Sequence, residues 1–166
     1  MDKASDRAAQ VRQRFEELAS PVVASARVGQ MARYVQHGET STLEHALAVA
    51  YLSLALARRL GLAVDEPSLV RGAILHDYYL YDWHDHEAAP DSWHGFTHPG
   101  HALANAQRDF PDLNVRERDL IAHHMFPLTP VPPRHVEGAL VCLMDKVATV
   151  AEVLLRTPYR KEATHA

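Results

Sequence analysis

Residues 41–77 read STLEHALAVAYLSLALARRLGLAVDEPSLVRGAILHD, two helices in succession. Ser41 stands three before Glu44, ahead of an apolar run, which is a capping-box pattern. Leu43, Leu47, Ala50, Leu54 and Ala57 then fall on one stripe, so a helix is predicted to about Leu60. Gly61 stops it. Asp65 and Pro67 open a second helix holding Leu69, Val70, Ala73 and Ile74, and it ends at His76-Asp77.

Helical pattern extends in both directions. Residues 4–34 read as one or two helices broken near Pro21. Periodicity is lost over 78–97, YYLYDWHDHEAAPDSWHGFT, which holds six of the chain's twelve Phe, Tyr and Trp residues. A loop of about 20 residues inside a compact domain is usually functional or disordered, and so many aromatics argue against disorder. His98-Pro99 opens a short helix, and Asn114 with Glu117 caps another that ends near His124. Phe126–Pro133 has four prolines and is expected to be an extended connection. The last helix is predicted from about Arg134 to Arg156, its apolar face formed by Val136, Leu140, Leu143, Met144, Val147, Val150 and Leu154. There are no repeats, no alternating strands and no hairpin dipeptides. The expectation is an all-α bundle of six or seven helices. It would comprise an N-terminal helical segment (1–36) packed on a main unit (37–158), with a flexible tail (159–166).

Length and composition are consistent with one domain of 166 residues, at 47% hydrophobic and 23% charged. Cys142 is the single cysteine, which excludes an internal disulfide. No apolar run approaches a membrane span, and MDKASDRAAQVRQRFEEL has no signal-peptide core, so a cytoplasmic location is expected. The net charge of -4 argues against duplex nucleic acid as partner, though not against a single nucleotide. The apolar faces are compatible with a homo-oligomer. Histidine is the unusual number, at 12 residues.

Asp145 lies in LVCLMDKVATV, with Val141 and Ala148 on its own face. A carboxylate there must pair with a cation, either an arginine or a metal ion. His76-Asp77 ends a helix, where a histidine also suits the dipole and an aspartate a turn. His45 sits one turn into a helix of Ala, Leu and Val, as a hydrogen-bonded core residue or as a ligand. His98, His101, His123 and His124 stand at the ends of apolar segments. Each has a bland explanation alone. Together, four helices place a histidine or aspartate at comparable depth, and imidazoles with carboxylates are the ligand set of Zn, Mn or Fe.

The order His45, His76-Asp77, Asp145 resembles the H…HD…D pattern of the HD-domain superfamily of metal-dependent phosphohydrolases, over about residues 37–155. ILHDYYLYDWH is also similar to bacterial HD-domain proteins of uncharacterised activity. The resemblance implies a first metal held by His45, His76, Asp77 and Asp145. HPGHALANA and IAHHMFPL resemble the stretches that carry two further histidines in members with two ions. These would be His98, with His101 as runner-up, and His124, with His123 beside it or also a ligand. Asp77 would bridge the ions and orient or deprotonate the attacking water. The two ions are not distinguished among Mn, Fe, Zn, Co and Mg. Met125-Phe126-Pro127 replaces Gly-Tyr-Pro, no lysine follows His76-Asp77, and Ser41 replaces the glutamate of a third site. These departures argue against a cyclic di-GMP phosphodiesterase and a trinuclear centre.

The implied substrate is a nucleotide or other small phosphate ester. Lys146 could reach a phosphate as a catalytic group. Arg71 could bind phosphate or pair with a buried acid, and Tyr81 and Trp83 could stack on a base. His84, His86 and His94 read as surface histidines. Two other readings remain: an HD-type diiron oxygenase like myo-inositol oxygenase, and a non-catalytic nucleotide-binding sensor.

Overall fold

The computed structural model describes residues 3–85, 87 and 89–155. The expected tail (159–166), His86 and Arg156 lie outside them. The elements are α1 (Lys3–Val23), α2 (Ala26–Gly29), a 3-10 turn (Gln30–Arg33), β1 (Val35–His37), β2 (Thr40–Ser41), α3 (Thr42–Leu60), α4 (Glu66–Leu75), α5 (His94–Asp109), α6 (Val115–His123) and α7 (Val136–Leu155). The architecture is all-α, with one small antiparallel hairpin.

Local chemistry sets the helix ends. Ser41 and Glu44 complete a reciprocal capping box on α3, and Gly61 closes that helix in the left-handed region at φ 64°. Asp65 accepts from Ser68 N at the start of α4. Asn114 and Glu117 form a second capping box on α6. α3 packs along α4 and α7, α6 lies against α4 and α7, and α1 covers α4. Their shared core includes Val49, Leu54, Leu69, Ile74, Leu120 and Val141, all fully buried. Gly72 permits the close approach of α4 to α6, since a Cβ there would meet Leu120 Cδ1 at 3.0 Å.

Pro21 stands exposed in the last turn of α1, which ends two residues later, so the expected break near the proline is present. Three expectations change. The hairpin Val35–Ser41 has strands too short to show alternation; Gly38 at φ 60° makes its turn. α5 begins at His94, four residues early, and tolerates Pro99 at the loss of one helical hydrogen bond. The 126–133 connection is turned rather than extended through Leu128, and its Phe126-Pro127 bond is cis.

The face of α7 differs most. Of its seven expected apolar positions only Leu140 and Met144 are buried. Val136, Leu143, Val147, Val150 and Leu154 face outward, while the helix turns Glu137, Asp145 and Glu152 into the interior. Glu137 accepts there from Asp65 N and Arg116. Among the described residues, no helix is long and apolar enough to cross a membrane.

Candidate metal centre

Six of the histidines and aspartates converge where α3, α4, α5, α6 and α7 meet. His45 comes from the first turns of α3, His76-Asp77 from the end of α4, and His98 from α5. His124 caps α6, and Asp145 sits mid-way along α7. All six are buried.

The geometry divides into two halves about Asp77. His45 Nε2 lies 3.0 Å from Asp145 Oδ1, and His76 Nε2 lies 3.7 Å from the same oxygen. Asp77 Oδ2 faces this half, 3.3 Å from His76 Nε2 and 3.9 Å from His45 Nε2. Asp77 Oδ1 faces the other half, 3.2 Å from His98 Nε2 and 3.5 Å from His124 Nε2. Ligand atoms of His45, His76 and Asp145 lie within 4.8 Å of one another, as do those of His76, Asp77 and His124.

Each imidazole is held in one tautomer. The Nδ1–H of His76 donates to Ala73 O, that of His98 to His94 O, and that of His124 to Ile121 O. The Nδ1–H of His45 donates to the Glu152 carboxylate at 3.0 Å. A carbonyl or carboxylate can only accept, so in the neutral ring each Nε2 presents its lone pair to the centre. His98 Nε2 and His124 Nε2 then stand 2.9 Å apart with lone pairs facing. Such a pair repels unless a proton or a cation lies between. Two nitrogens bound at right angles to one ion at about 2.1 Å are separated by about 3 Å. His76 Nε2 and Asp77 Oδ1 are buried without a hydrogen-bond partner. The donor set therefore fits divalent ions.

Electrostatics point the same way. Burial pulls the His45 imidazole down, but hydrogen bonds to Asp145 and Glu152 outweigh it and raise it to about 9. His76 is likewise raised against its burial by Asp77 and Asp145. Burial pushes Asp77 up, but the charge of His76 and the closeness of the His124 and His98 rings hold it well below the carboxylate range. Asp145 is depressed by His45 and His76, again against burial. The buried carboxylates thus demand positive charge beside them.

A cavity of about 1020 Å³ opens onto the cluster, lined by Asp77, His98, His124, Asp145 and Lys146. Its outer wall is apolar, with Trp83, Trp93, Phe96, Met125, Leu128 and Val150.

A family model described as HD domain matches residues 42–150. The chain belongs to the HD-domain family. Neither the comparison with curated proteins nor that with solved structures gave a significant match. The matched span covers α3 to α6, most of α7 and all six clustered residues of this HD domain.

The other candidates lie apart from the cluster. His123 points away, its Nδ1 2.9 Å from Asp119 Oδ1, because adjacent residues at a helix end diverge by about 100°. His101 bonds Asp91 at the loop. Arg71 lies outside the cavity; its guanidinium pairs with Asp112 at 2.7 Å and stands 3.7 Å from Glu117. Lys146 lines the cavity, its Nζ donating to Cys142 O at 3.0 Å. Trp83 lines the cavity, stacked on His94 with ring centroids 5.0 Å apart, whereas Tyr81 braces His94 from behind through a 3.0 Å hydrogen bond.

Two residues escaped the sequence reading. Glu152 stands behind His45, seven residues after Asp145 and so on the same side of α7. Gln36, on the hairpin, donates from Nε2 to Asp77 Oδ2 at 2.7 Å. Its Oε1 accepts from Tyr79 and Thr42, which fixes which end faces Asp77. The glutamate was detectable by spacing. The glutamine carried no local signal.

Proposed function

We propose that this HD domain is a metal-dependent phosphohydrolase acting on a small phosphate ester. The observation that carries the reading is the division of the cluster by Asp77, one carboxylate oxygen toward each histidine set. His45, His76, Asp77 and Asp145 would hold one divalent ion, and Asp77, His98 and His124 a second. Two such ions would lower the pKa of water and neutralise a phosphoryl group.

The chain's own groups supply the rest. Asp77, held at Oδ2 by Gln36, sits between the two halves and orients the attacking water there. Lys146 brings an ammonium to the phosphoryl end of the cavity. No arginine lines the cavity among the described residues, so this ammonium and the histidines are its only basic side chains. The apolar wall of Trp83, Trp93, Phe96 and Leu128 holds the leaving group and excludes water around it. This division of charge favours a phosphate monoester with a bulky, weakly charged leaving group over a polyphosphate. A nucleoside monophosphate and an aryl phosphate both meet that description.

The test is metal content by elemental analysis for the wild type and Asp77→Ala, followed by a phosphate-ester panel with Mn, Co, Zn or Mg. Near two ions per chain, lost in the variant, with phosphate released from monoesters, is the expected result. No metal bound on titration would overturn the reading. Iron with substrate-dependent oxygen uptake would replace it by the oxygenase, and tight nucleotide binding without turnover by the sensor.

A further inference from the structure

The outward face of α7 is the reverse of an ordinary surface helix. Leu143 is 52% exposed, Val147 42%, Val150 55% and Leu154 73%. Val136 and Ala139 continue the stripe toward the N-terminus. None of the exposed positions of α7 carries a charge. A solvated helix places its polar residues there.

We infer that this face is covered by α7 of a second copy of the chain, crossing antiparallel about a two-fold axis at Val147. The spacing is self-complementary. Val136, Leu143, Val147, Val150 and Leu154 follow the 3.5-residue seam of paired helices. Centred on Val147, an antiparallel partner sets Leu143 against Val150 and the small Ala139 against the large Leu154. A face without charge selects a partner face without charge, and a two-fold axis supplies one.

The extent is sufficient. Val136, Leu143, Val147, Val150, Val153 and Leu154 are 38–73% exposed, and covering them in two copies buries on the order of 1,000 Å², the area a specific interface must clear.

Other occupants fit less well. A bilayer-facing helix borders its apolar stripe with Lys or Arg. The one cation of α7, Lys146, turns inward onto Cys142 O and His124 O.

The test is the mass of the full, metal-loaded chain by light scattering across the micromolar range. The wild type is expected as a dimer. Val147→Glu and Val147→Lys each place like charges face to face at the axis, and each should raise the dissociation constant at least about a hundredfold. An equimolar mixture of the two variants should restore the dimer, a result that misfolding would not give. Circular dichroism and metal content are expected unchanged in both variants. A wild type that stays monomeric overturns the inference, as does a dimer indifferent to both charges or a mixture that fails to reassociate. A monomer that sediments with anionic phospholipid vesicles would assign the face to a membrane instead.

Discussion

Glu152→Gln removes the charge behind His45 and little else. The carboxylate oxygens stand 3.0 and 3.1 Å from His45 Nδ1, and the side chain is fully buried. An amide oxygen still accepts that hydrogen bond, so the imidazole stays aimed at Asp145. What is lost is the negative charge that makes Nε2 a stronger donor. Removing such a partner weakens metal binding about 10–100-fold, or about 1.4–2.7 kcal/mol. The loss should fall on the ion held by His45 and spare the one held by His98 and His124. Glu152→Ala also strands a buried N–H and should cost about 1–3 kcal/mol of further stability. Competition against a fluorescent chelator separates the two affinities, and thermal unfolding in chelator reads the stability. Unchanged affinity in Glu152→Gln, or an equal loss at both ions, would refute the role given to this carboxylate.

Three further outcomes are expected. His124→Ala should halve the metal content, whereas His123→Ala should leave it intact, because its ring bonds Asp119 rather than the centre; elemental analysis of both variants checks this. Arg71→Ala should leave metal content and phosphate release at wild-type values and cost about 1 kcal/mol in chemical denaturation, since it breaks an exposed pair with Asp112 and a cation–π contact to Phe110. In the metal-free chain the folded pKa of His45, about 9, exceeds its unfolded value of about 6.5. That group's stabilisation is therefore full below about pH 6.5 and fades as pH rises through about 9. Metal loading at pH 7 must displace the protons of His45 and of His76, which is raised likewise, so a pH-stat should record release of about two protons per chain, and no release would contradict the assignment.

What the sequence disclosed was local. The capping residues Ser41, Asp65 and Asn114 work within one turn of chain, so their pattern and their structure coincide. The order His45, His76-Asp77, Asp145 marked residues that the bundle does bring together. Choices one or three residues apart, His123 against His124 and His98 against His101, depend on the rotation of a helix about its axis. No periodicity sets that angle independently of its neighbours. α7 shows the same difficulty at larger scale. Its valines and leucines read as a core face, yet the acids Glu137, Asp145 and Glu152 claim the interior because their partners lie there. Gln36 reaches Asp77 from a strand of three residues, too short to announce itself.

Gly72 has a bearing on the ions themselves. Its missing methyl allows α4 and α6 to close to the point where Leu120 would touch one. His76 is pinned to α4 by Ala73 O, and His124 to α6 by Ile121 O, so each ring moves rigidly with its helix. The gap between those helices is therefore a gauge, and it sizes the space between the ligand sets. The distance between these two histidines is thus set partly in hydrocarbon, by the absence of one methyl group, as well as by the rings themselves.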